Sequence, residues 1–462
     1  MTTVPHYAQF EINPYPSNLQ SGWLPQYGSS GMQTYFDRVL GAERKPLAPS
    51  VQALGTYIEE NEVVRFLVNN ACAENLNIID SHDPEARGVP IPRIKDVDTL
   101  LHGFNTILTH APSFINDDLV GLPFSAFVVG IDPTQSGTTL FRLPTFNVLM
   151  SNILGDWNAF LDTPASNVGF RVDGEQWLSP AAKGQYQFPL WKKDSETLPY
   201  WNSWNSFFTR TFKDPGLARP IADPQSNQTV ICPNDGSLFR WDANIARKDA
   251  FWFKDMNYSL TDILSSPVPG QQALIDEFKL VDLFEGAYIF QTYLNPYNFH
   301  RWWVPVNGEV LFDPFTIPGC FFNKLVLPDF GGATTASLPY LAQVNARGII
   351  VIKTEDYGHV CCIPLGMSEV SSVVFDHDMR RGARVRKGQE MGMFNYGGSS
   401  FAILYEKLPG KELIFVNTDG VPYPQRPVLP SGSSSTGGNV TLIGSQIGVW
   451  YNRKQEAPCA PR

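Results

Sequence analysis

The sequence is poor in the features that would place it in several common classes. Only 17% of its 462 residues are charged, and Asp and Glu outnumber Lys and Arg by 45 to 35, a net charge of -10. Binding a phosphate backbone requires clustered cations, so no nucleic-acid partner is expected. The one basic run, Arg380, Arg381, Arg384, Arg386 and Lys387, reads first as a solvated hairpin edge and second as a contact for anionic lipid. No apolar run approaches the length of a membrane span, and the opening Met-Thr-Thr-Val-Pro-His-Tyr lacks the basic and apolar segments of a secretory leader. Without a leader, the glycosylation triplets at Asn227, Asn257 and Asn439 are read as chance. The six cysteines (Cys72, Cys232, Cys320, Cys361, Cys362, Cys459) show no metal-ligand spacing, and the adjacent Cys361-Cys362 reads as buried strand. These absences lead to the expectation of a cytoplasmic protein with free thiols, no metal and no membrane anchor. Oligomerisation stays open.

What is present is enough apolar material for large cores. Hydrophobic residues make up 43% and aromatics 13%, and the length predicts two or three domains. Val51, Leu54, Ile58, Val63, Val64 and Leu67 follow helical spacing. Val97, Leu100, Leu101, Phe104, Ile107 and Leu108 repeat it, and the stripe from Phe146 to Leu161 is the strongest. The histidines of this region, His82, His102 and His110, are scattered and read as structural. From about Thr229 the pattern changes to short β-branched and aromatic runs with Gly and Pro between them. Examples are Tyr288–Tyr293, Gly308–Phe312, Gly348–Ile352 and Val360–Ile363. Val304–Val310 and Val385–Phe394 each set a turn-forming Asn-Gly or Lys-Gly beside alternating apolar residues. Pro422 to Gly438 reads as a flexible low-complexity loop, and Val440–Trp450 as a last strand returning to the sheet. The expected fold class is α+β: a helical N-terminal domain over 1–200, then a β-rich domain over 201–462.

One tetrapeptide suggests chemistry. Gly397-Gly398-Ser399-Ser400 lies between strand-like runs, and a serine hydroxyl can attack the carbonyl just before it. Gly398, without a Cβ, tolerates the close approach this requires. A base must take the hydroxyl proton. The candidates are His300, just after the Tyr288 strand, and Asp235, in Pro233-Asn-Asp-Gly236, which would orient a histidine by the logic of a triad. Taken singly, the tetrapeptide is a loop, Asp235-Gly236 a turn and His300 a packing residue.

Taken together, these segments resemble the phosphatidylserine decarboxylase family of pyruvoyl enzymes. The likeness is carried by Trp204-Asn-Ser-Phe-Phe-Thr-Arg-Thr-Phe212 with Arg219-Pro220-Ile221, by Pro233–Gly236, by Phe299-His-Arg-Trp-Trp-Val-Pro-Val-Asn-Gly308, and by Val385–Ser400. Order and spacing match from about Trp204 to Lys407. The helical region, with Gly22-Trp-Leu24, is similar to that of a fungal soluble subgroup that includes an L-tryptophan decarboxylase. The resemblance implies self-cleavage between Gly398 and Ser399, with Ser399 becoming a covalent pyruvoyl group and the two cleaved chains staying partners. No dissociable cofactor is implied. Asp235 matches the family's aspartate and His300 the first of its two histidines, whereas Trp303 occupies the place of the second. His359 lies where the family has no histidine and could stand in for the missing one, although a structural role is the simpler reading. The implied reaction removes the α-carboxylate of an amino acid through a Schiff base. A small soluble aromatic substrate such as tryptophan comes first and phosphatidylserine second. A third reading, prompted by Trp303, is an unprocessed binding protein of the same fold.

Overall fold

The computed structural model describes residues 19–20, 24–25, 30–81, 91–115, 118–119, 121–132, 134–248, 259–295, 297–319, 344–367, 369, 372–396, 398–417, 419–423 and 440–452. Gly397, His82, Gly22, Trp23, Cys320, Cys459, Asn257, Asn439, most of the 422–438 loop and the opening heptapeptide lie outside these residues.

The helical stripes fold as their spacing predicts. Helices Pro49–Glu60, Glu62–Ser81, Val97–Ile107 and Pro144–Leu161 bury Val51, Leu54, Ile58, Val64, Leu100, Phe104, Phe146, Ile153 and Trp157 in one core. Val63 instead faces outward, two-thirds exposed. Asp96 caps the third of these helices, accepting from the Thr99 N–H at 2.8 Å, a contact worth about 1 kcal/mol.

Among the described residues, the β-rich part is built on a nine-stranded antiparallel sheet. Its central strand, Gly398–Tyr405, runs between His359–Met367 and Tyr288–Leu294. Alternation along it feeds two cores. Phe401, Ile403 and Tyr405 face one cluster with Trp302, Phe394, Leu413 and Trp450 from two three-stranded sheets. Ala402 and Leu404 face the other, covered by helices Leu260–Leu264, Pro269–Glu277 and Leu280–Leu283. Cys361 and Cys362 sit back to back on the neighbouring strand, both buried and free, as their sequence context suggested.

The two turn-bearing segments find one another. Arg301–Trp303 pairs with Glu390–Phe394, and Gly308–Val310 with Arg384–Val385. The turn joining Arg384–Val385 to Glu390–Phe394 uses Gly388 at φ +82°, a conformation open to glycine. The last strand divides: Val440–Thr441 joins the large sheet beside Gly236, and Gln446–Asn452 joins Lys411–Phe415 and Thr229–Ile231. The fold is therefore α+β. The helical core is continuous with the β-rich part, since it also takes in Tyr293, Phe299, Trp303 and Tyr396.

Candidate active site

Ser399 is the second residue of the central strand, opposite Gly366 on one side and Leu294 on the other. It is completely buried, and its Oγ has no hydrogen-bond partner among the described residues. Its neighbour Ser400 is the reverse case. The Ser400 hydroxyl donates to the Thr292 carbonyl at 2.7 Å and accepts from Gln291 Nε2 at 2.9 Å. A buried hydroxyl normally finds such partners, so of the two serines only Ser399 has a hydroxyl uncommitted to them.

His300 lies two residues before Trp302, whose ring packs 5.8 Å from Phe401. By period-two alternation Ser399 shares the face of Phe401, the face that the Trp302 strand covers. The His300 backbone carbonyl accepts from the Phe394 N–H at 2.9 Å. Its ring, completely buried, lies 4.0 Å from Phe208, which in turn meets Tyr396, three residues before Ser399. His300 Nδ1 lies 3.0 Å from the Asn298 carbonyl. A carbonyl only accepts, so Nδ1 carries the hydrogen and Nε2 is the basic nitrogen. Burial, reinforced by the nearby Arg210 cation, pushes His300 well below its ordinary value of 6.5. It is therefore neutral at pH 7, the state a general base needs.

Asp235 is buried and held by a guanidinium fork. Arg219 Nε donates to Oδ1 at 2.9 Å and Nη2 to Oδ2 at 2.6 Å, both side chains being 4% exposed. The Ile443 N–H adds a third donor at 2.9 Å. The pairing expected from triad logic is thus corrected: Asp235 engages Arg219, while His300 Nδ1 engages Asn298. The Asp235-Gly236 turn is an interior one, and Gly236 is required because a Cβ there would lie 2.6 Å from the Tyr293 carbonyl. Trp303, at the place of the family's second histidine, donates its backbone N–H to the Pro233 carbonyl at 2.7 Å and packs against Phe212 and Phe299.

His359 is not near this constellation, and the expectation that it could stand in for a base is overturned by register. Met367 pairs with Gly398, whereas Val360, next to His359, pairs with Tyr405. Six residues of strand separate Ser399 from Tyr405, about 20 Å. His359 Nδ1 instead meets Glu406 Oε2 at 2.7 Å.

Sequence reasoning missed the cover over the Ser399 end of the strand. Tyr396 donates its hydroxyl to the Gly121 carbonyl at 2.5 Å and packs edge-on against Trp157 and Trp204. Glu369, just past the end of the neighbouring strand, accepts from the Ser125 N–H. The two hydrogen bonds span more than 200 residues of chain, invisible to local pattern.

Comparison with known proteins bears on this geometry. Decarboxylase iboD of Amanita muscaria (strain Koide BX008) is 31% identical over 310 residues, covering 62% of this chain and 84% of that protein. The chain belongs to the phosphatidylserine decarboxylase family. The family's models match residues 204–420 and 48–186. An L-tryptophan decarboxylase of Psilocybe cubensis is 28% identical over 331 residues, 66% of this chain and 71% of that one. Phosphatidylserine decarboxylase proenzyme 2 of Oryza sativa subsp. japonica is 28% identical over 213 residues, 46% of this chain and 30% of its own length. The protein is accordingly a decarboxylase, a carboxy-lyase of a pyruvoyl-dependent family. Among the described residues, no helix is long and apolar enough to cross a membrane.

Proposed function

We propose that the chain cuts itself between Gly398 and Ser399 and then decarboxylates a small free amino acid, with an aromatic one such as tryptophan favoured. The observation that carries this reading is the contrast between the two serines: Ser400 is locked on both sides, and the Ser399 hydroxyl is buried and uncommitted among the described residues. A serine that becomes a pyruvoyl end needs such a hydroxyl, so the residues present fit the group.

In this reading Ser399 Oγ attacks the Gly398 carbonyl carbon while its proton passes to His300 Nε2. The peptide C–N bond breaks, its nitrogen takes up a proton, and an ester remains. Loss of the Ser399 Cα proton expels the Gly398 carboxylate. Water then replaces the nitrogen, releasing ammonia and leaving a pyruvoyl end on the 64-residue C-terminal chain. When present, that group supplies a carbonyl that condenses with the substrate amine and accepts the electron pair left as CO2 departs. His300, neutral and buried, is the residue assigned to proton transfer in both stages. Asp235, gripped by Arg219 and by the Ile443 N–H, contributes order to the same region without taking the proton from Ser399 directly.

The enclosed setting supports a small substrate over a bilayer lipid. Tyr396, Trp157, Trp204 and Phe208 pack into a buried aromatic cluster that starts three residues before Ser399 and closes that end of the strand. The family's name and its proenzyme relatives support phosphatidylserine as the second reading. Intact mass under denaturing conditions tests the cut: fragments of 398 and 64 residues are expected, the shorter blocked at its N-terminus. One uncut chain of 462 residues leaves only a non-catalytic reading. Ser399→Ala must remain whole, while Ser400→Ala still cleaves. Release of CO2 from free tryptophan against phosphatidylserine vesicles then separates the two substrates.

A further inference from the structure

The guanidinium of Arg210 is buried in a setting that stability alone does not explain. The helix Trp204–Phe208 begins in a reciprocal cap, Ser203 with Ser206, and ends one turn later, which leaves Arg210 pointing inward at 2% exposure. Its Nη1 meets the Phe207 and Phe208 carbonyls at 3.3 and 3.4 Å. Its Nη2 meets those of Tyr297 and Asn298 at 2.9 and 3.1 Å. The cation also lies 4.4 Å from the Trp191 ring centroid. Among the described ion pairs none includes it. Burying a cation without a carboxylate is costly, and burial indeed draws Arg210 down to about 10.

The Asn298 carbonyl is the informative partner, because it accepts from Arg210 Nη2 and from His300 Nδ1 together. We propose that Arg210 is a positioning residue for His300, fixing the 297–300 segment so that Nδ1–H stays on that carbonyl and Nε2 remains the acceptor. The inference rests on the reading of His300 as the base. Arg210 also stands as a fixed positive charge against the imidazolium. The other ionisable groups around the pair offset little of it. Asp235 is matched by Arg219 and Glu390 by Arg301. Burial holds Tyr186, Tyr297 and Tyr396 neutral, and Glu369 lies beyond Tyr396.

The test follows self-cleavage of the full chain after cell-free synthesis, reading the 64-residue fragment by gel and mass between pH 5 and 9. In Arg210→Gln, which loses both charge and fork, the acid limb of the cleavage rate moves up by about one pH unit and the rate at pH 9 falls several-fold. In Arg210→Lys the limb stays in place and the rate falls several-fold, because charge is kept and the fork is lost. A uniform loss at every pH in Arg210→Gln, or an unchanged profile, overturns the proposal. Should Arg210→Gln not fold, Arg210→Lys decides alone, and any limb that moves despite the retained charge overturns it. A His300→Gln control separates the two layers. Full-rate cleavage there removes His300 as base, whereas an uncut control beside an unmoved Arg210→Gln profile removes only the role of Arg210.

Discussion

Each end of the central strand has a histidine beside it, and the two live in opposite surroundings. At the Ser399 end, His300 is completely buried against Phe208, shares a carbonyl with a cation and is held neutral. At the Tyr405 end, His359 is about a fifth exposed and bonded to Glu406. The same side chain therefore has two different uses. Desolvation beside a positive charge yields a proton acceptor, while a carboxylate partner near solvent yields a clasp between two neighbouring strands of the sheet. Proximity to the strand is common to both, and only the environment distinguishes them.

The sharpest way to break this comparison is to remove each histidine in turn. His300→Ala is expected to slow self-cleavage by about 10²- to 10⁴-fold, the range of a positioned acid–base group, read as fragment appearance over time. Equal rates in the variant and the parent would make the two ends equivalent. Next in size is Asp235→Asn, which strands Arg219 as a buried unpaired cation; the expected loss is about 3–5 kcal/mol of unfolding free energy by urea titration. A loss below about 1 kcal/mol would show that the fork is solvated.

A pH series follows. The folded-state value of His300 lies below its ordinary 6.5, so the unfolded chain binds the proton more tightly. Stability contributed by the neutral ring is thus complete above pH 6.5 and declines as the pH falls below it, by at most about 1.4 kcal/mol per unit. The decline should be missing in His300→Gln. The smallest effect belongs to His359→Ala, for which cleavage is unchanged and stability falls by no more than about 1 kcal/mol.

How much of this was legible beforehand depends on the range of each interaction. Helix stripes such as Phe146–Leu161 and alternation such as Phe401, Ile403 and Tyr405 are local, and they appear in the fold where spacing put them. Ser399, Asp235 and His300 came from linear motifs that also mark the family. The partners of those residues did not. Arg219 and Arg210 stand inside recognised segments, yet nothing in their spacing says that one grips Asp235 and the other the Asn298 carbonyl. For His359 the structural role was the simpler reading, but the alternative of a stand-in base could be ruled out only by strand register, which depends on pairing and not on the residue's own neighbours.

The central position of Gly398–Tyr405 has one more consequence. A chain cut between residues 398 and 399 keeps its shorter piece laced into the sheet from both sides, by His359–Met367 and by Tyr288–Leu294. The piece is laced a second time where Gln446–Asn452 joins Thr229–Ile231. The halves would stay together without a covalent link, but the instructions for assembling them would no longer lie on one molecule. Once unfolded, a cut protein must find its other half by collision, so its return becomes second order in concentration. Such a protein folds as one chain and, after the cut, holds that shape mainly because it never lets go of it.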